Sequence, residues 1–507
     1  MSPALRLRRR PGRGGGGDER AVRTARAVAA GGERLWPWWL ERQLDPASPA
    51  FVAMPGETGT LPNVTGRSWT LLGTRAGRGL AAVDPRGLVT PVPGGWSLDW
   101  WVGADDRWHL PSREVAVRQR SVDGTPVVET AMRVPGGDVV ATAWAAQAPG
   151  AEVVVVEIAN ATPVPVALAL AVRPYDGEGV TTVRSVALGD GGQVDVDGRP
   201  ALVLPRPPAR AVLSAFADGD PVAAVAGGLA EAVPPGASMR CRDGLASGAF
   251  VVPLTHGTSV RVVLAMEPGA ALPPPASLPP AEAVARGWRL HADAGARLVL
   301  PDDAMGAAVR ASRCSVLLAS GTRPDPLPDL EGFPALSGRG GRTPGLLPAA
   351  TLRQAAAEVE AGDERALERL QWALDVASPT GVWPAAVHPR LGTGCGGAGH
   401  DVAASDELLW LVRRLLVCDE PGGLVLCPVL PEGWRGQALE VHDLPTASGT
   451  LSFAVRWHGS RPALLWEVEG EGPVHLRAPG LDPAWSSTER RGEALLTGAD
   501  VPGGSFA

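Results

Sequence analysis

Residues 379–417 read PTGVWPAAVHPRLGTGCGGAGHDVAASDELLWLVRRLLV and decide how the rest of the chain is read. A Trp-Pro segment leads into a loop holding Gly392, Gly394, Gly396, Gly397 and Gly399. A helix follows, because Leu408, Leu411, Val412, Leu415 and Leu416 recur at the spacing of one buried helical face. Asp401 stands where an N-cap belongs. Arg413 and Arg414 fall in the last turn, and Pro421-Gly422-Gly423 is expected to end the helix. Five glycines within eight residues imply a sharp turn or a close approach to the backbone. Two readings stay open. The loop could offer N–H groups at a helix start to an anion or a sugar hydroxyl, or it could be a connector that needs small residues.

Trp383, Pro384, His388, Pro389 and Gly392 fit the first half of a pattern, WPExxHPxTG. Gly394, Cys395, Gly397, Gly399, Val402, Ala404, Glu407 and Arg413 fit its second half more loosely, GCMGDGQHxWAAAE and an apolar helix with an Arg. On these residues the stretch resembles the last helical hairpin of the six-hairpin glycosidases. These are the glucoamylase-like, glycogen-debranching-like and related (α/α)6-barrel enzymes. The resemblance implies carbohydrate as the ligand class and an inverting hydrolysis. Two departures stand against activity. The Glu after Trp-Pro, at the position resembling a general base, is Ala385, and the Asp of the glycine loop is Ala398.

The composition, 45% apolar and 20% charged over 507 residues, is that of a soluble globular protein of two to four domains. The net charge of −7 gives no purchase to a nucleic-acid backbone. Five cysteines, an odd number with no C-x-x-C pair, suggest neither a disulfide framework nor a zinc site, and fit reduced thiols. Arg6, Arg8, Arg9, Arg10 and Arg13 are followed by glycines and acids instead of an apolar run, so a basic tail is expected, not a signal peptide. No stretch of 18 apolar residues offers a membrane span. The reading is a cytoplasmic protein with no cofactor and no metal.

Residues 1–45 read as tail and a short amphipathic piece, LWPWWLERQL at 35–44. Residues 46–267 carry strand signals. Val115 to Arg120 alternates, 127–134 follows an Asp-Gly turn, and 152–159 (EVVVVEIA) is expected to pair across 160–163 with 164–173. Many short strands with Gly/Pro turns argue an antiparallel β-sandwich. The pieces NVTGRSWTLLG, VDPRGLV and SLDWWVG loosely resemble the β-sandwich preceding the barrel in the same enzymes. Residues 268–301 form a Pro-rich linker and lead-in. Residues 302–420 are helical, with helices over 304–318, 350–360, 364–376 and 401–417. Residues 421–507 return to strands as a small antiparallel sandwich, in which PEGW (431–434) and T-x-x-G (446–449) resemble the C-terminal β-domain of these enzymes. The fold expected is therefore multidomain β plus α: sandwich, shortened (α/α)-barrel-like helical domain, sandwich. Twelve barrel helices need roughly 200 residues, and 302 to 419 span only 118.

Inverting hydrolysis needs two carboxylates about 6.5–9.5 Å apart. The candidates are Glu407 and Asp401, with Asp329 and Glu331 in the preceding loop. Each has a plain alternative: Glu407 as an exposed helix carboxylate, Asp401 as a cap. Trp383 as a stacking platform, with His388, Arg390 and His400 as hydroxyl binders, completes the candidate binding set, against core packing and local hydrogen bonding. The acidic pairs 105–106 and 302–303 read as turn and helix start. No P-loop, dinucleotide fingerprint or zinc-protease motif is present. Three functions remain in play. The first is a glycosidase-like protein that binds an oligo- or polysaccharide with weak or no hydrolysis. The second is an active hydrolase using Glu407 and Asp401. The third is a non-catalytic assembly protein, with a homodimer covering helix faces that a missing barrel would leave exposed.

Overall fold

The computed structural model describes residues 68–497 apart from 76, 93–94, 178, 320–345, 389–391, 393 and 397. The expected tail, Asp329, Glu331 and Arg390 lie outside the described residues.

The first sandwich has two sheets. One runs through strands Thr70–Leu72, Ala81–Val83, Val89–Thr90, Ser97–Gly103, Val166–Arg173, Ser247–Leu254 and Arg210–Ser214 in spatial order, with Trp108–His109 added beside Ser97–Gly103. The other has nine strands, with Ser259–Ala265, Ala151–Asn160, Gly137–Ala148 and Val127–Val134 at its centre. Alternation sets the interior: Leu98, Trp100 and Leu170 from one sheet face Val154, Val156 and Ile158 from the other. The apolar run at 152–159 does not alternate with polar residues, because its second face is buried too. Val153 and Val155 pack with Trp144, Leu278 and Ala285, the last from the helix Ala281–Ala292.

One pairing differs from expectation. Val166–Arg173 does not return beside Ala151–Asn160. It crosses to the other sheet, between Ser97–Gly103 and Ser247–Leu254. Asn160 makes that arch, with its amide nitrogen donating to the Val164 and Leu254 carbonyls and its oxygen accepting from Thr162.

The helices are α1 (Pro221–Ala226), α2 (Ala281–Ala292), α3 (Asp303–Ala319), α4 (Pro348–Glu360), α5 (Arg365–Asp375) and α6 (Val402–Leu416). Asp302 starts α3 by accepting the Ala304 and Met305 amides, as the acidic pair suggested. Helix α6 lies against α3 and α4, and α4 against α5. The helix does not stop at Pro421-Gly422-Gly423. Val417 is already extended, the chain passes straight into strand Val417–Glu420, and Pro421-Gly422 is the hairpin turn before Gly423–Leu426.

The C-terminal strands form a five-stranded sheet, which also takes in Arg297–Val299 from the lead-in, and a four-stranded sheet. The four-stranded sheet is not wholly antiparallel, since Gly423–Leu426 runs parallel to His475–Ala478. Helices α3 to α6 share one continuous core with both sheets. Leu352, Leu370, Leu408, Leu411 and Leu415 pack in it together with Leu426, Val441, Leu451 and Leu476. The apolar helix faces are thus covered from within the chain. Trp410 on α6, and Leu346 and Leu347 just before α4, are large apolar side chains left exposed.

Candidate functional site

The Trp-Pro segment and the glycine loop fold back on each other as a small hairpin, Ala386–Val387 against Gly394–Gly396. Just outside it the Ala385 amide donates to the Ala398 carbonyl at 2.8 Å. Both alanines are buried. The two positions at which the resembled pattern carries acids therefore adjoin, as methyl groups in a closed joint. The Asp401 amide donates to the Trp383 carbonyl at 2.6 Å, continuing the joint to the start of α6.

Trp383 presents no face to a ligand. Its side chain is wholly buried, and Nε1 donates to the Ala373 carbonyl at the end of α5 at 2.7 Å. The stacking-platform expectation gives way to core packing, because the indole is enclosed in the core that the helices share and satisfies its one donor on α5. Asp401 caps α6, accepting the Ala403 amide at 3.1 Å. Burial raises its carboxyl above the usual range, against the pull of the Ala403 and Ala404 amides. Glu407 pairs with Arg353 of α4 at 2.7 Å. Six residues of helix separate Asp401 from Glu407, about 9 Å of rise and about 240° of rotation.

His388 is partly buried, and its carbonyl accepts the Gly392 amide at 3.0 Å. His400 is fully enclosed. Its Nδ1 accepts the Leu71 amide at 3.0 Å, and its Nε2 lies 3.0 Å from Ser315 Oγ. A ring nitrogen that accepts a backbone N–H carries no proton, so the proton sits on Nε2 and is donated to Ser315. Ser315 in turn donates to the Ala311 carbonyl at 3.0 Å. A His–Ser pair in this sense is the reverse of a nucleophile and its base. Burial alone lowers the imidazole pKa to about 4, so it stays neutral at physiological pH.

A second buried polar cluster escaped the sequence reading. On the outer face of the eight-stranded sheet, Arg173 forms a two-pronged pair with Asp220, at 2.7 and 2.6 Å, and donates to Tyr175 at 3.0 Å. Its guanidinium lies over Trp101, whose Nε1 donates to Asp99 at 2.8 Å. Burial works against the Arg173 charge, but Asp220 and Tyr175 overcome it and its pKa is raised. Burial likewise raises Asp99. Asp220 also caps α1 by accepting the Val222 amide, so the cluster fastens α1 to the sheet. The sequence signal was Arg173-Pro174-Tyr175-Asp176 closing an otherwise apolar strand.

Among the described residues, no group of three or more His, Cys, Asp and Glu side chains could hold a metal ion, and no helix is long and apolar enough to cross a membrane. Free Cys314, Cys418 and Cys427 are buried, and burial pushes their thiols up to about 12, 11 and 12.

No protein-family model matches the chain, and no curated protein does. Among solved structures, a bacterial glucoamylase complexed with acarbose aligns with 65% of this chain at 9% identity and a TM-score of 0.35. The chain spans about half of that protein, 52%. A superposition this loose positions no residue.

Proposed function

We propose that the chain is a glycoside hydrolase-like protein, with a shortened (α/α)-barrel-like helical part, that binds an oligo- or polysaccharide without efficient hydrolysis. The observation supporting this most directly is the Ala385–Ala398 joint. The two positions that carry acids in the resembled pattern hold buried methyl groups whose main chains are bonded to each other. Alanine neither takes nor gives a proton, so neither position can activate water or stabilise the departing sugar. The ion pair on Glu407 and the capping bond on Asp401 support the same reading, since each carboxylate is already engaged.

The test is a panel of α- and β-linked glucans and disaccharides, scored for released sugar and, in parallel, for retention on immobilised glycans. Retention without release is expected. Sugar release by the wild type that is lost in Glu407→Gln would replace this reading with an active hydrolase. Absence of both release and retention would remove carbohydrate as the ligand.

A further inference from the structure

The eight-stranded sheet ends at strand Thr70–Leu72, whose outer N–H groups would otherwise be open. Residues from the end of the glycine loop take them. The Trp69 amide donates to the Gly399 carbonyl at 3.1 Å, and two residues on, the Leu71 amide donates to His400 Nδ1. The imidazole nitrogen thus stands where the carbonyl of a neighbouring strand would stand. Its other nitrogen reaches Ser315, so one side chain ties the sandwich edge to α3. Thr70 and Thr380 reinforce the seam with a hydroxyl pair at 2.6 Å.

We propose that His400 is an acid-released latch between the first sandwich and the helical layer. Nδ1 takes a proton from solvent and forms an N–H bond, so a donor replaces the acceptor facing the Leu71 N–H. The Leu71 hydrogen bond breaks, and the sandwich edge lifts from Gly399 and the start of α6.

Among the described residues, no charged side chain compensates the imidazolium. Asp401 spends its carboxylate on the Ala403 amide. On α3, Arg310 is turned to Asp293, and Arg313 to the Ala292 and Ala296 carbonyls. The neighbours from strand 70–72 and from residues 378–380 are hydroxyls and backbone. The sign follows from linkage. The open state takes the proton at an ordinary histidine pKa near 6.5, the latched state only near 4. Latching is therefore complete above about pH 6.5 and weakens as pH falls towards 4. These two values make opening about 30-fold more favourable at pH 5 than at pH 7.5.

Hydrogen exchange on the full chain tests this, with rates corrected for intrinsic exchange. The Leu71 amide should lose protection about 30-fold between pH 7.5 and pH 5, while the Val155 amide at the sandwich centre keeps its own. His400→Asn, which does not titrate, should remove the pH dependence at Leu71. Joint loss at Leu71 and Val155, or an unchanged profile in His400→Asn, would overturn the proposal. Should that variant not fold, nitrogen NMR of labelled histidine in the wild type decides. A neutral Nε2–H tautomer whose protonation coincides with the loss of Leu71 protection is expected. A ring protonated at pH 7, or an Nδ1–H tautomer, would refute the latch.

Discussion

The helical layer meets β structure on two sides, through seams of opposite material. Towards the C-terminus the seam is mainly apolar and continuous: helix α6 and the two sheets after it belong to one core, with Arg413 bonded to Asp419 and the Pro445 carbonyl at its margin. Towards the first sandwich the contact is divided. Helix α2 relays it through two small apolar clusters, one against the nine-stranded sheet and one against α3. Beside these runs the polar seam of Trp69, Thr70, Leu71, Thr380, Gly399 and His400. An apolar seam has no off switch short of unfolding, because its strength scales with area removed from water. A polar seam depends on a few oriented bonds, and a proton or one added methyl group can undo it. The difference predicts that helices and C-terminal sheets unfold as one unit and that the first sandwich can part from them while folded.

The largest expected effect comes from breaking the apolar seam. Leu408 has no exposed surface and sits among the α6 core residues. Leu408→Ala leaves a cavity in a core shared by two kinds of element and should cost about 2–5 kcal/mol. Urea unfolding followed by hydrogen exchange should show Leu411 in α6 and Val441 in the five-stranded sheet losing protection together, with Val155 unmoved. Loss at Leu411 with Val441 unchanged would mean that the shared core is energetically two.

Next in size is Gly399→Ala. A Cβ there would lie 2.3 Å from Cδ2 of the Trp69 ring, far inside contact distance. The ring also rests on Gly177, where a Cβ would be 3.1 Å from Cε3. With both sides occupied, the indole cannot simply slide away. We expect a cost of about 1–3 kcal/mol, felt at the seam: Leu71 loses protection at neutral pH while both flanking cores keep theirs. Trp69→Leu in the same chain should restore part of the loss, and the double-mutant cycle measures that coupling. Equal costs in the two backgrounds would mean that the methyl group meets something other than Trp69.

The same contrast explains what could be read in advance. Apolar runs fixed the strands well. Val127–Val134 falls where the Asp-Gly turn placed it, and the helix after the glycine loop begins at the predicted cap. Turn residues were less informative about partners. Asn160 and its neighbours mark a reversal equally well for a hairpin within one sheet and for an arch between two, and only the partner strand distinguishes them. The Pro-Gly step after α6 was real punctuation, but of a hairpin one strand later. The seam was illegible for a plainer reason. His400 meets Leu71 across 329 positions of sequence and Ser315 across 85, and no local pattern encodes either contact. Trp383 shows the converse: the sequence marked the residue, but not which way its ring would turn.

The smallest effect should come from Glu407, and there the comparison is sharpest. Glu407 belongs to neither seam. It joins α4 and α6 across their outer side through Arg353, whose side chain is 70% exposed. The neighbouring Arg414–Glu360 pair bridges the same two helices. A pair with one partner in water gains little over two solvated ions, so Glu407→Gln should cost below about 1 kcal/mol and leave exchange at Leu71, Leu411 and Val441 unchanged. Raising the salt concentration should reduce even that difference. A catalytic carboxylate held in a strained, desolvated site commonly stabilises the fold when neutralised, since function there is maintained against stability. A measurable gain in stability for Glu407→Gln would therefore contradict the surface-pair reading and return Glu407 to the list of acids worth testing for chemistry.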